Sequence, residues 1–494
     1  TPGCLDFISE SLGALRVSDC AVLVVNVAHG LGVGTEQVWK HATSYNLPKI
    51  IVLNGLDKEN IDYKEALAKI RARFGDRVLP VSVPLNPGPG FNRLVDVFRN
   101  EVTTYQTDGS GKYAESPADG AVKEQAAAWH QKLIECIAES DDTLLEKFFD
   151  KGGLTEEELR AGVHTAFEKQ TFIPLFCTSA ETNVGVARLM DFIAKYASSP
   201  LDRPKIKGLD GNDQEVAIAP TDASPVIYIF KTSSEGQAGD LSFFRLFSGK
   251  LEAGDDVYNA DTKASERIGQ IHVLNGNNRE TVPLMHGGDM GALVKLKSTH
   301  TDNTLSEHKK GITLPKVAYP RPNIHQALRL KSKGEEDKIA TGLAALHQED
   351  PTFLYHADSE LHQTVISGQG DLHLQVVAEK LRRRHKVDFD LVEPRVPYRE
   401  TIKARGESKY RHKKQTGGAG QFAEVWMRIE PTARDSGVEF TESLVGQNVE
   451  RTFVPSVEKG VMAACKEGIV AGYRVVDVKI DFYDGKMHPV DSKD

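Results

Sequence analysis

Lys49-Ile50-Ile51-Val52-Leu53-Asn54-Gly55-Leu56-Asp57 is the stretch on which the fold turns. Four apolar residues after a lysine end abruptly in Asn-Gly-Leu-Asp, and a similar apolar run stands earlier at Ala21-Val22-Leu23-Val24-Val25-Asn26-Val27. Short, nearly continuous apolar runs suit parallel strands covered on both faces. A helical stretch through Gln37-Val38-Trp39-Lys40 lies between them, and Ile8, Leu12 and Leu15 recur upstream as one face of a short helix would. The order strand, helix, strand predicts an α/β domain whose ligands sit beyond the carboxyl ends of the strands. The pattern resumes at Phe172-Ile173-Pro174-Leu175-Phe176, runs into Cys177-Thr178-Ser179-Ala180, and closes on a helix predicted near Val186–Tyr196 before Ser198-Ser199-Pro200.

Between these stretches, from about 63 to 170, the texture is more helical and more acidic. It includes a long amphipathic run over 122–149 and a capping-box start at Thr155-x-x-Glu158, and predicts an inserted subdomain. After Pro204 come short alternating strands, at 226–230, 241–247 and 256–258, with Gly-rich turns that suggest a β-barrel. A mixed unit with a helix over 337–346 follows, and then a last α+β unit. The expected layout is an α/β domain over 1–218, a β-barrel over 219–310 and two α+β domains over 311–397 and 398–494.

The 494 residues suggest roughly three domains at about 150 residues each. With 61 Lys+Arg against 70 Asp+Glu the formal charge is −9, which excludes a histone-like basic coat while leaving room for local basic patches. No segment approaches the run of about 18 apolar residues that a membrane span needs. The five cysteines (Cys4, Cys20, Cys136, Cys177 and Cys465) are scattered without a CxxC pair, arguing against a disulfide framework or a zinc motif and for a reducing, cytoplasmic setting.

Two strand ends carry chemistry. A carboxylate such as Asp57 can accept two hydrogen bonds from the N1–H and exocyclic amine of guanine, which adenine does not offer in that arrangement. Asn54 would tie the loops together, and the Ser179 and Ala180 N–H groups would reach the O6 acceptor. Read alone, the tetrapeptide is more simply a strand-ending turn.

Taken with the opening Thr1-Pro2-Gly3, these pairs fall in the order of a translational GTPase, and the chain resembles elongation factor G over essentially its whole length. Phe243-Phe244-Arg245 and Ser248-Gly249 look like its second domain, and Ser367-Gly368-Gln369-Gly370-Asp371-Leu372-His373-Leu374 like its third. Thr416-Gly417-Gly418-Ala419-Gly420-Gln421-Phe422, Phe453-Val454-Pro455-Ser456-Val457 and Tyr483-Asp484-Gly485-Lys486-Met487-His488-Pro489-Val490-Asp491-Ser492 look like its fourth. Phe243-Phe244-Arg245 reads as barrel core with no catalytic role.

The resemblance implies a GTP/GDP-binding protein, with Thr1, Pro2, Gly3, Asn54, Asp57, Ser179 and Ala180 at the nucleotide. Mg2+ would accompany the nucleotide, with no metal ligands expected within the chain. It implies a ribosomal partner, with rRNA, tRNA and mRNA met in the decoding region, and a monomer off the ribosome. Gln421, His488, Gly418 and Gly420 would touch RNA. The family's phosphate-cradling GxxxxGK[ST] loop does not occur: Asp108-Gly109-Ser110-Gly111-Lys112-Tyr113 lacks the earlier glycine and the hydroxyl after lysine. The GTP-binding domain is therefore expected to be incomplete, and likewise the fourth.

Two substitutions bear on mechanism. The family's Thr-Pro-Gly-His is Thr1-Pro2-Gly3-Cys4 here, replacing the imidazole that positions the attacking water by a thiol, a weak donor that is mostly protonated near neutral pH. Hydrolysis is expected to be slow, and a nucleophilic role for Cys4 is disfavoured because no base stands beside it in sequence. Gly55 replaces the lysine whose stem covers the guanine ring in the family, so weaker base affinity is expected. Lys409, Arg411, His412, Lys413 and Lys414 lead into the Gly-rich loop, as RNA contact would need, whereas Arg382-Arg383-Arg384-His385-Lys386 ends a helix and reads equally well as a solvated face. The function expected is GTP-dependent translocation of tRNA and mRNA. The alternatives are a non-hydrolysing ribosome-binding module and a ribosome-protection or recycling factor of the same family.

Overall fold

The computed structural model describes residues 1–234, 240–276, 278–308, 310–332, 334–358, 361–415 and 420–493. The chain forms two compact units, residues 1–356 with 366–391, and residues 357–365 with 392–494.

The first unit opens with α1 (Ile8–Arg16), which buries Ile8, Leu12 and Leu15 on one face. The elements β1 (Ala21–Asn26), α2 (Val33–Ser44), β2 (Lys49–Asn54), α3 (Tyr63–Phe74) and β3 (Val78–Pro80) follow. With β8 (Ile173–Thr178), the strands make a parallel sheet in the order β1-β2-β8-β3. The central strands behave as their composition predicts: Ile50, Ile51, Leu53, Leu175 and Cys177 are fully buried. The register sets Asn26 opposite Asn54 and Asn54 opposite Thr178, so three strands end level along one edge of the sheet.

Three expectations need correction. β1 is not covered on both faces: it is an edge strand with alternating burial, and Val22 and Val24 are 41% and 60% exposed. The insertion does not open near Tyr63, because α3 leads into β3, and Val78–Pro80 pairs with β8 in the parallel sheet. Nor is it mainly helical at first, since β4 (Ser82–Pro84), β5 (Arg93–Asp96), β6 (Glu101–Tyr105) and β7 (Tyr113–Pro117) form an antiparallel meander.

The long helical run then splits into α4 (Gly120–Ala138) and α5 (Asp142–Lys151). The break falls at Asp141, whose carboxylate accepts the Thr143 and Leu144 N–H groups as an N-cap. In α6 (Glu156–Glu168) the capping box is complete, with Thr155 and Glu158 satisfying each other's N–H groups. The last helix of this region, α7, spans Val186–Tyr196 as the periodicity indicates.

The β-rich part is an eight-stranded antiparallel sheet with Val226–Ser234 and Asp240–Ser248 at its centre, around a core that includes Ile227, Ile229, Phe244 and Leu246. Phe244 is core, but Arg245 is more than filler. Its side chain is 5% exposed, holds Asp19 with two 2.9 Å hydrogen bonds and also donates to the Val17 carbonyl, tying this sheet to the segment between α1 and β1. Farther on, α8 (Glu336–Glu349) and α9 (Asp371–His385) pack together over a core of Leu343, Leu346, Leu374, Val377 and Leu381. Arg384 and Lys380 both meet the buried Glu349, and Arg382 donates to the Phe389 carbonyl, so much of the basic run is spent within the fold.

The second unit carries a sheet in the order Gly406–Lys414, Gln421–Pro431, Val478–Lys486, Val438–Glu442, with α10 (Val454–Glu467) against the last of these strands. The Glu400 carboxylate accepts the Ile469, Val470, Ala471 and Tyr473 N–H groups, which lower its pKa to about 2.

Replacing Arg245 by Leu leaves Asp19 without its buried cation. The expected cost is about 3 kcal/mol, read as a lower melting temperature in the Arg245→Leu variant. An unchanged melting temperature would mean that the pair contributes nothing net.

Candidate functional site

Level strand ends bring the two sequence-predicted loops together. Asn54 Oδ1 accepts the Ala180 N–H at 2.8 Å and the Thr178 hydroxyl at 3.1 Å, the loop-tying contact expected of it. Gly55 and Leu56 donate their N–H groups to the Thr178 carbonyl, which adds a second clasp. Asp57 follows immediately. One of its oxygens lies 3.2 Å from Lys58 Nζ, while the other, Oδ1, is buried and has no hydrogen-bond partner. Burial pushes the Asp57 carboxyl up, but the Ser179 hydroxyl and the Lys58 ammonium outweigh it and hold the pKa below the ordinary value. An N1–H/N2–H edge calls on both oxygens of such a carboxylate, of which Oδ1 is without a partner and Oδ2 would be shared with Lys58.

The N–H groups expected to meet O6 are already engaged: Ser179 donates to the Val184 carbonyl at 3.0 Å and Ala180 to Asn54. Only Ala180, which is exposed and held by a side chain, can be shared with a ligand without opening the Ser179–Val184 bridge. Gly55 adopts φ +88°, where L side chains are strained, and a Cβ placed there would lie 3.8 Å from Lys58 Cγ. The stem of Lys58, whose ammonium also meets Glu181, thus flanks the position from which the family's lysine departs. Sequence spacing missed Lys58 because it stands after the motif rather than in it.

Thr1-Pro2-Gly3-Cys4 is exposed and rests on α1 and α2: Ser11 donates to the Pro2 carbonyl, and the Gly3 carbonyl comes within 2.4 Å of where a Cβ on Gly34 would lie, so only glycine fits there. The expectation that no base stands beside Cys4 is corrected, since its Sγ donates to Asp6 Oδ1 at 3.6 Å. The other Asp6 oxygen accepts the His373 N–H, capping α9 across 367 residues of sequence. Asp6 is therefore an anchored acceptor committed at both oxygens. That commitment leaves no magnesium ligand set around Thr1–Cys4 among the described residues.

In the second unit, Gly418 lies outside the described residues, while Gly420, Gln421 and His488 are brought together. Asp491 Oδ1 accepts the Gly420 N–H at 2.9 Å, and Ser492 Oγ bonds both the His488 N–H and the Phe422 carbonyl. Gln421 Oε1 pairs with His412 Nε2 on the neighbouring strand. His488 Nδ1 accepts the Val490 and Asp491 N–H groups, which places the ring proton on Nε2; the side chain is 51% exposed. Lys409, Lys413 and Lys414 are exposed along the same strand pair.

Four family models match the chain. "Elongation factor Tu GTP binding domain" covers residues 1–199, "Elongation factor G domain 2" 225–308, "Elongation Factor G, domain III" 319–393 and "Elongation factor G, domain IV" 394–494. The first match corrects in part the expectation of a fragmentary GTP-binding domain, since its model extends over residues 1–199. A crystal structure of a Thermus thermophilus protein titled ttk003000868 is similar at 30% identity and a TM-score of 0.80, with 100% of this chain and 71% of that chain covered.

Asp491 supplies one side-chain clasp between the two exposed loops, and Ser492 the other. The Asp491→Ala variant is expected to speed hydrogen exchange at 420–422 and 488–492 while leaving the rest of the second unit protected. Uniform protection would show that the loops hold each other by other means.

Proposed function

We propose that this chain, which belongs to the elongation factor G family, binds guanine nucleotides at the Asn54–Asp57 and Thr178–Ala180 loops and acts on the ribosome in translocation of tRNA and mRNA. The observation that carries the nucleotide reading is the buried, unpartnered Asp57 Oδ1 beside loops clasped by Asn54. Its pKa below the ordinary value keeps it an acceptor throughout the neutral range. Lys58 covers the base with its stem in place of the family's lysine, and the Ala180 N–H serves O6. Thr1, Pro2 and Gly3 line the phosphate side, where the Gly3 N–H is available to a γ-phosphate.

Cys4 makes hydrolysis slow. Its hydrogen is directed to Asp6, so the thiol offers a water no imidazole-like acceptor. Mg2+ would screen phosphate charge when a nucleotide is bound, but the residues around Thr1–Cys4 do not form a ligand set for it. Translocation rests on the second unit, whose clasped loops present Gly420, Gln421 and the Nε2–H of His488 beside a cationic strand, a surface suited to phosphate and sugar. Gly418 belongs to the same loop. The four-part layout of 1–218, 219–310, 311–397 and 398–494 and a cytoplasmic, ribosome-associated monomer accompany this reading. Among the described residues no helix is long and apolar enough to cross a membrane.

Ribosome-stimulated GTP turnover tests the Cys4 reading. Slow turnover by the wild-type chain should rise by about 100-fold in Cys4→His; fast wild-type turnover would overturn it. Base recognition is tested separately. Asp57→Asn trades an acceptor for a donor, so it should lose about 100-fold in affinity for GDP and gain for xanthosine diphosphate. Unchanged GDP affinity would move the base elsewhere.

A further inference from the structure

His164, Glu168 and Asp202 stand outside the Asn54–Asp57 and Thr178–Ala180 loops, and each offers one ligand atom, all within 4.8 Å of one another. His164 and Glu168 are i, i+4 neighbours on α6 and so share one face, while Asp202 comes from the segment that leaves α7. His164 Nε2 and Asp202 Oδ1 are separated by 3.5 Å. We propose that these three side chains form a binding site for one divalent transition-metal cation of the Zn2+ class, with water completing the coordination.

The second observation pointing to a ligand lies outside the triad. His164 Nδ1 is 3.2 Å from the Tyr196 carbonyl, which can only accept, so Nδ1 carries a proton and Nε2, which pairs with Asp202 Oδ1, is the nitrogen left for a cation. A backbone carbonyl fixing the far nitrogen is the arrangement that metal-bound histidines adopt. Both carboxylates are oriented in the same way: Ser198 donates its hydroxyl to Glu168 Oε1, and the Ser199 N–H reaches Asp202 Oδ2 at 2.7 Å. Glu168 thus keeps its other oxygen for a cation, which would take the place of the His164 Nε2–Asp202 Oδ1 contact. The nearby Arg203 guanidinium donates to the Tyr45 and Asn46 carbonyls through one nitrogen, and its charge also acts on Glu168.

One imidazole and two carboxylates suit Zn2+, Co2+ or Ni2+ better than Ca2+ or Mg2+, which prefer all-oxygen shells. Metal–nitrogen bonds of about 2.0 Å require ligand atoms roughly 3.3 Å apart, so binding draws the triad together by about 1.5 Å at its widest, within side-chain reach. The cation would then staple the exit segment 197–203 to α6. Cysteine spacing could not reveal the site, since it uses no cysteine and its third ligand stands 34 positions after the second.

The test is calorimetric titration of the chelator-stripped chain with ZnCl2 after alkylation of accessible thiols, which removes the exposed Cys4 as a competitor. One equivalent should bind in the micromolar range or tighter, and His164→Gln and Asp202→Asn should each weaken binding at least tenfold with unchanged far-UV circular dichroism. Cobalt(II) should give visible tetrahedral bands in the wild type that His164→Gln abolishes. Absence of saturable binding, or binding indifferent to both substitutions, overturns the proposal.

Discussion

One carboxamide oxygen holds the ends of two central strands together. Asn54 Oδ1 sits at the end of β2 and takes both the Thr178 hydroxyl and the Ala180 N–H from the end of β8. Those bonds are possible because the register sets Asn54 directly opposite Thr178, and the register is set by two strands so apolar that neither can slip without exposing its core side chains. Everything that would read a base hangs on this clasp, including the depth at which Asp57 lies and the distance between it and Ser179.

A second constraint runs from the Thr1–Cys4 segment to α9. Asp6 stands two residues after Cys4, yet it caps α9, whose other end delivers Arg384 to Glu349. A change in the Thr1–Cys4 segment therefore cannot be absorbed locally: it moves the carboxylate that satisfies the His373 N–H. Arg245 does the same for the β-rich sheet through Asp19 and Val17. Both ties use a charged group reaching across hundreds of residues to backbone groups at the end of a helix.

Periodicity and motif order made much of this legible. The buried strands β2 and β8, the Thr155 capping box and the bounds of α7 follow directly from local pattern, and the pairing of Asn54 with the Ser179-Ala180 loop follows from strand ends. The meander β4–β7 did not, because its strands are three to five residues long and carry prolines at positions 84 and 117 that read as turns. Asp141 looked like one more acidic residue in a helix until its carboxylate was seen capping the next one. Lys58, Asp6 and the Arg245–Asp19 pair depend on contacts made only in three dimensions, and no spacing rule reaches them.

Gly55 carries a consequence for how such a site changes over time. At φ +88° its backbone has settled into a conformation that a side chain enters only with strain, while the Lys58 stem stands alongside. A side chain here would strain the peptide, while its Cβ would meet Lys58 Cγ at an ordinary contact distance of 3.8 Å, so the cost of lysine at this position is conformational and not steric. The glycine at 55 is thus held by the path of its own backbone, whatever stands at 58.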